Sequence, residues 1–194
     1  MNTAPEAKAA LAWTHTARFV TSASQLGQLP VHELPEIAHV GRSNAGNATI
    51  ITNTGGETYF NDTAYSDKAR LITNGTGFVD FTNTFGQNGD GRVTVGSIEG
   101  SGSYLIGGIT LVVGGNNRST EVSGVIDDGC GCVTGSLEKV GTGTLTLSGT
   151  NAYTGLTQVS GGTLLVTGSI ASSLIVMVDN GATLGGTGTV APTF

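Results

Sequence analysis

Charge is scarce in this chain: Asp, Glu, Lys and Arg supply 11% of its 194 residues, and aromatic side chains only 6%. The eight Lys and Arg residues are scattered and the formal net charge is -6, so there is no basic face to neutralise phosphates and no nucleic acid is expected as a partner. No apolar run reaches the roughly 18 residues that a membrane-spanning helix needs, and no membrane span is expected in this chain. The first eight residues lack the charged-then-apolar order of a secretory signal, so no signal peptide is expected either. Low charge does not mean disorder here, because 38% of the residues are hydrophobic and the mean hydropathy is +0.11. The chain is long enough to bury a core and is expected to fold.

Cysteine is almost absent. Cys130 and Cys132 are separated by one residue, which strains an ordinary disulfide, and two thiols fall short of a four-ligand zinc site. They read as a pair in a loop, reduced or joined in a tight redox turn. Neither a metal nor any other cofactor is expected.

What is abundant is glycine, at 32 residues, together with Thr, Ser, Asn and Val, a bias toward strands and tight turns. Composition shifts near residue 47. Three of the four prolines (Pro5, Pro30, Pro35), all three histidines (His15, His32, His39) and the one tryptophan (Trp13) precede it. Residues 1–46 are therefore separated from 47–194, and the first part is not expected to be an independent domain.

In that first part a helical stretch is expected over residues 6–13, an extended piece over 17–20 and a strand over 36–40. The strand runs into Gly41-Arg42-Ser43-Asn44-Ala45-Gly46, a glycine-bounded turn of the kind that opens a phosphate-binding loop. Together with Ala17-Arg18-Phe19-Val20-Thr21-Ser22-Ala23, Leu29-Pro30 and Pro35-Glu36-Ile37-Ala38, it resembles the opening of EngB-type GTP-binding proteins, P-loop GTPases associated with ribosome assembly and cell division. That resemblance would make Gly41, Asn44 and Gly46 nucleotide-binding positions. It fails where the chemistry begins: the phosphate-reaching Lys and the magnesium-binding Ser or Thr are replaced by Asn47 and Ala48. No guanine-reading Asn-Lys-x-Asp follows, so the segment is a vestige without GTPase function.

Beyond residue 47 the chain repeats itself. Residues 48–60 align with residues 69–81 at an offset of 21 (48 to 69), and Gly143-Thr144-Leu145-Thr146-Leu147-Ser148 returns as Gly162-Thr163-Leu164-Leu165-Val166-Thr167 at an offset of 19 (143 to 162). Gly181-Ala182-Thr183-Leu184-Gly185-Gly186 is a further return. Residues 91–95, 104–106 and 110–113 read as looser returns of the same rhythm. Alternating aliphatics with Gly, Asn or Ser at corners, repeating about every 20 residues, predict an all-β chain: a right-handed parallel β-helix (β-solenoid) with a short non-solenoid N-terminal segment. One turn alone buries too few aliphatics to offset its ordering entropy, whereas stacked turns share apolar faces and ladder hydrogen bonds. Sandwiches and propellers would want more aromatic core or regularly spaced hairpin turns.

Residues 135–155, with Gly161-Gly162-Thr163-Leu164-Leu165-Val166 and Gly181-Ala182-Thr183-Leu184-Gly185-Gly186, resemble the passenger-associated repeat of bacterial autotransporters. The residues that carry the match are Gly143, Leu145, Leu147, Gly149, Tyr153, Gly155, Gly162, Leu164, Val166, Gly181 and Leu184. The resemblance implies a passenger segment secreted by the type V route, at the cell surface, outer membrane or outside a bacterium, with adhesive or stalk-like function and folding coupled to export. It also implies a C-terminal translocator β-barrel, which is not expected within this chain, and a host-facing or self-associating surface. Ser43-Asn44-Ala45-Gly46-Asn47-Ala48 fits both resemblances, so the junction reads as a fusion or recombination at a shared string.

Catalysis is not expected. The histidines lie before residue 40 and no Gly-x-Ser-x-Gly elbow sits on a strand-to-helix turn; Gly96-Ser97 and Gly100-Ser101-Gly102 read as corners. Asp127-Asp128 and Asn88-Gly89-Asp90-Gly91 do not repeat as calcium-binding rolls do and are expected to be solvated turns. The triplets starting at Asn47, Asn61, Asn74 and Asn117 have the form of glycan acceptors, a form that arises readily in a Thr- and Asn-rich chain.

Overall fold

The computed structural model describes residues 37–40, in backbone only, 46–129 and 133–190. The chain divides into residues Met1–Glu33, which lie outside the described part, and Leu34–Phe194. Among the described residues there is no helix, and every strand pairing is parallel.

Three sheets form the walls of a solenoid of about seven turns. The first contains β1 (Ile37–Val40), β3 (Glu57–Asp62), β5 (Phe78–Thr84), β8 (Ser103–Leu105) and β11 (Val125–Asp127). The second is built from β2 (Thr49–Thr52), β4 (Arg70–Thr73), β7 (Ser97–Gly100), β10 (Thr120–Val122), β13 (Thr144–Leu147), β15 (Thr163–Val166) and β18 (Thr183–Gly185). The third comprises β6 (Arg92–Val95), β9 (Thr110–Val113), β12 (Ser136–Lys139), β14 (Leu156–Val159) and β17 (Ile175–Val178). From β7 to β12 the chain passes from second wall to first to third and back. Near the C-terminal end the short pair β16 (Ser169–Ile170) and β19 (Thr189–Val190) follows β15 and β18.

Both sequence offsets are structural registers. Thr49 pairs with Arg70, which is the first offset, and Thr144 pairs with Thr163, which is the second. The expected strand over 36–40 is present as β1, in register with β3. The helical stretch at 6–13 and the extended piece at 17–20 fall outside the described residues.

One part of the repeat reading differs. The rhythm of the sequence makes residues 91–95 a return of the 48–60 phrase, but Arg92–Val95 opens the third wall. The register equivalent of β4 is instead β7, with Arg70 opposite Ser97. A turn holds up to three strands with the same alternation, so strands of different walls look alike in one dimension.

Alternation decides what is buried. Strands β4, β12, β13, β14 and β15 each alternate half-buried with buried residues. Inward side chains therefore stack in columns, such as Leu145, Leu164 and Leu184. Aromatic residues plug the N-terminal turns: Phe60 stacks on Phe81 with ring centroids 4.6 Å apart, where β5 carries an extra residue opposite Phe60. Tyr104 fills the next turn. Its buried hydroxyl lies 3.0 Å from the carbonyl oxygen of Leu71 and 2.8 Å from that of Glu99, and it accepts from the Glu99 amide; burial pushes this phenol far up from its ordinary value.

Candidate functional site

The refrain of the sequence becomes one continuous wall. β13, β15 and β18 are neighbours in the second sheet, so its three statements lie on top of one another. Leu145, Leu147, Leu164 and Val166 are buried inward, and Leu184 is partly buried against them. The structure thus brings together most of the residues that carry the passenger-repeat resemblance.

Gly149 shows why a glycine is required there. A Cβ at this position would lie 1.9 Å from the carbonyl oxygen of Gly124, one turn back. The same relation holds from Gly124 to Gly102, from Gly168 to Gly149 and from Gly188 to Gly168. These five glycines form a column along one corner of the solenoid, and any side chain in it collides with backbone. Gly143 and Gly155 meet carbonyl oxygens in the same way, at 2.2 Å (Arg118) and 2.4 Å (Gly135). Gly162 meets the carbonyl oxygens of Gly143 and Gly141 as well, at 2.5 and 2.6 Å, and its φ of 62° also places it in the left-handed region, beside the ammonium of Lys139.

Sequence reasoning missed the buried polar groups that join the turns. Lys139 occupies an inward position of the third wall, in register with Val95 and Val113 on one side and Val159 and Val178 on the other. Only 1% of it is exposed. Its Nζ donates to the carbonyl oxygens of Val140 (2.7 Å), Gly161 (3.1 Å) and Gly141 (3.4 Å). Burial pulls the ammonium below its ordinary pKa. The one signal in the sequence is parity: Leu137 and Lys139 share a face while Glu138 points out, where Arg92 and Ser160 bond it.

Asp128 corrects the expectation of a solvated turn. It is buried, and its two carboxylate oxygens accept three hydrogen bonds: Oδ1 from the Gly135 amide (2.9 Å), Oδ2 from the Thr154 amide (2.9 Å) and hydroxyl (2.6 Å). Such donors replace the water that a buried carboxyl group gives up. Asp127, the last residue of β11, and Asp90 each cap a backbone amide two residues on. Cys130 and Cys132 lie outside the described residues.

Asn151 and Tyr153 complete the set. Asn151 is buried and links three turns, accepting from the Ile126 amide at 3.0 Å and donating to the Ser169 carbonyl at 3.1 Å. The Tyr153 hydroxyl meets Thr157 Oγ1 at 2.7 Å, which meets Ser173 Oγ at 2.8 Å, an enclosed hydroxyl chain between successive turns. Desolvation pushes the Tyr153 phenol far up, against the opposing effect of Thr157.

The remaining candidates separate. Gly41 and Asn44 lie outside the described residues, and Gly46 sits in a turn just before β2. Asn47 and Ala48, at the positions of the missing Lys and hydroxyl, lead into that strand. Ser101 Oγ accepts from the Gly75 amide at a corner, whereas Ser97, expected at a corner, is the buried first residue of β7, where its Oγ accepts from Asn116. Asn74 donates to Asn53 one turn back, a ladder in the same register as β2 with β4. Gly181 belongs to a corner with φ of 85°. No helix among the described residues is long and apolar enough to cross a membrane.

Comparisons with known proteins give two kinds of match. The family model described as Passenger-associated-transport-repeat matches residues 137–166, from the second residue of β12 to the last of β15. The adhesin BmaC autotransporter of Brucella suis is 38% identical over 104 residues, 49% of this chain and 3% of that protein. The extracellular serine protease of Serratia marcescens is 50% identical over 56 residues, 29% of this chain and 5% of its own. A probable GTP-binding protein EngB of Polaromonas is 56% identical over 50 residues, 26% of this chain and 20% of that protein. The chain thus spans at most about a fifth of the curated relatives it matches. No solved structure gives a significant match. The repeat match over β12 to β15, the similarity to an autotransporter adhesin over half the chain and the parallel solenoid support a β-helical passenger segment carrying a passenger-associated transport repeat.

Proposed function

We propose that the solenoid is a non-catalytic segment of a longer type V secreted protein, displayed at the bacterial cell surface or released outside the cell, where it serves as an adhesive stalk. Its secretion partner in this reading is a C-terminal translocator β-barrel. One observation carries the reading: the buried polar groups of residues 126–175 each draw part of their hydrogen bonding from a neighbouring turn. Asp128 needs Thr154, Lys139 needs Gly161, Asn151 needs Ile126 and Ser169, and Thr157 needs Ser173.

A turn that has emerged without its neighbour therefore exposes polar groups to water at little cost, and buries them only when the next turn arrives. Leaving such a group buried and unpaired costs about 1–3 kcal/mol, so stacking these turns is cooperative. Export of an unfolded chain followed by folding outside draws on that cooperativity without ATP.

The absence of catalysis belongs to the same proposal. It is supported by the serines and acidic residues singled out in the sequence, which are engaged in hydrogen bonds within the fold. Deleting residues 135–190 from the full-length protein and measuring surface display by antibody binding to intact cells tests the reading. Display is expected to fall sharply; unchanged display overturns it. Nucleotide binding by the EngB-like segment is a separate matter, and titration with fluorescent GTP and magnesium is expected to show no saturable binding in the micromolar range.

A further inference from the structure

The outward side of the first wall carries a surface that the stacking of turns does not use. Parallel register aligns the outward residues of β3, β5, β8 and β11 into rows across the sheet. One row reads Tyr59, Asp80, Leu105, Asp127, and the row beside it begins with Glu57 and Phe78. All six are half-exposed. The Tyr59 and Phe78 rings meet edge to face, 5.8 Å between centroids.

Local bonds orient the carboxylates: Glu57 Oε2 accepts from the Tyr59 hydroxyl at 2.8 Å, Asp80 Oδ1 from the Thr82 amide at 2.7 Å and Asp127 Oδ1 from the Gly129 amide at 2.7 Å. None of these four strands contains Lys or Arg. Among the described residues, the ion pairs Arg70 with Glu99 and Arg92 with Glu138 belong to the second and third walls. The face therefore combines two rings, an aliphatic side chain and three carboxylates, with no Lys or Arg on β3, β5, β8 or β11, while β1 sets His39 in register with Tyr59 at its edge.

We propose that this face docks an extended, cationic peptide segment of a partner protein. Lys or Arg head groups meet Asp80, Asp127 and Glu57, while their alkyl stems and cation-π contacts use Tyr59, Phe78 and Leu105. Spacing selects the conformation of the guest. Asp80 and Asp127 are two strands apart in one row, and strands lie about 4.8 Å apart, giving roughly 10 Å between the two positions. A polyproline II segment returns to the same side every third residue, about 9 Å along its axis, so a cation at every third position matches the row. A second copy meeting the face with the same face would oppose carboxylate to carboxylate, which disfavours self-association there. The proposal rests on the chemistry of the face and is independent of the secretion reading.

The test is a fluorescence anisotropy titration of the full chain with a labelled peptide that repeats Pro-Pro-Arg four times, compared with Pro-Pro-Gln repeats and with maltohexaose, at low and at physiological salt. The Arg peptide is expected to bind with affinity that falls as salt rises. The double variant Asp80→Asn/Asp127→Asn should weaken it about fivefold or more, and Asp179→Asn, a carboxylate just after β17, should leave it unchanged. Circular dichroism checks that both variants keep the β fold. No binding of the Arg peptide, equal effects of the two substitutions, or binding of maltohexaose in place of the peptide each overturns the proposal. So does a dimer by sedimentation that the double variant abolishes.

Discussion

Lys139 Nζ lies 3.1 Å from the carbonyl oxygen of Gly161 and 2.7 Å from that of Val140, so a cation on one turn is shared between its own corner and the corner of the next. Around it the column is otherwise aliphatic, with Val113 before and Val159 after. The ammonium reaches the backbone at the corner and leaves its stem among the valines, the way long cationic side chains divide between apolar and polar surroundings.

Shortening Lys139 separates charge from packing. Lys139→Ala removes the ammonium and most of the stem, and is expected to destabilise by about 2–4 kcal/mol. Lys139→Met keeps the volume and removes the charge that must be desolvated, and is expected to cost no more than about half as much. Urea denaturation followed by circular dichroism measures both, and equal losses would show that the charge, not the stem, matters.

The pH dependence has a definite sign. Because burial lowers the Lys139 pKa below the ordinary 10.5, the unfolded chain holds more protons than the folded chain between the two values. Stability contributed by this group therefore rises with pH through that window. Tyr104 and Tyr153, with raised values, act in the opposite sense above about 10. The difference in urea midpoint between the native chain and Lys139→Met isolates the lysine: the gap should shift in favour of the native chain as pH rises toward 10.5. A gap that is flat across the window contradicts the burial of a charged lysine.

Asp128 predicts local loosening. Asp128→Ala deprives the Gly135 amide and the Thr154 amide and hydroxyl of their acceptor, at an expected cost of about 2–4 kcal/mol. Hydrogen exchange should speed first at Gly135 and Thr154, before it changes in the N-terminal turns. Uniform acceleration along the chain would mean that the solenoid opens as one unit.

Two glycines rank in opposite order to their backbone angles. Gly181 has φ of 85° but open space where a methyl group would go, so Gly181→Ala should cost about 1–2 kcal/mol of backbone strain. Gly149 has no left-handed φ, yet its Cβ would sit 1.9 Å from the Gly124 oxygen, and Gly149→Ala should cost well above about 2 kcal/mol or prevent folding. Thermal unfolding of the two variants decides the order.

The periodic part of this fold was legible because burial follows parity. The two sequence offsets are registers, and the aliphatics of the refrain point inward. Asp128 and Lys139 were not legible, since a charged residue in a turn-rich sequence reads as solvated unless its partners are known. Those partners, Thr154 and Gly161, come from the following turn and are mostly backbone groups that every residue possesses. The third wall was hidden for a related reason, as Arg92–Val95 alternates like any strand of the second wall. Gly149 was recognised as part of a motif, but the column linking it to Gly102, Gly124, Gly168 and Gly188 exists only after the chain has coiled.

That column separates two dimensions of the solenoid. Along the axis, glycine against carbonyl admits no extra atom, so these turns leave no room for a side chain between them. Around the circumference the turns differ in length: the step from Thr144 to its register partner Thr163 is short, and the step from Arg70 to Ser97 is long. The surplus is pushed outward in segments such as the exposed Asn88-Gly89-Asp90. A turn can therefore gain girth by insertion at such a bend while the stack above and below it keeps its step, and new recognition loops can be added to the molecule without renegotiating its frame.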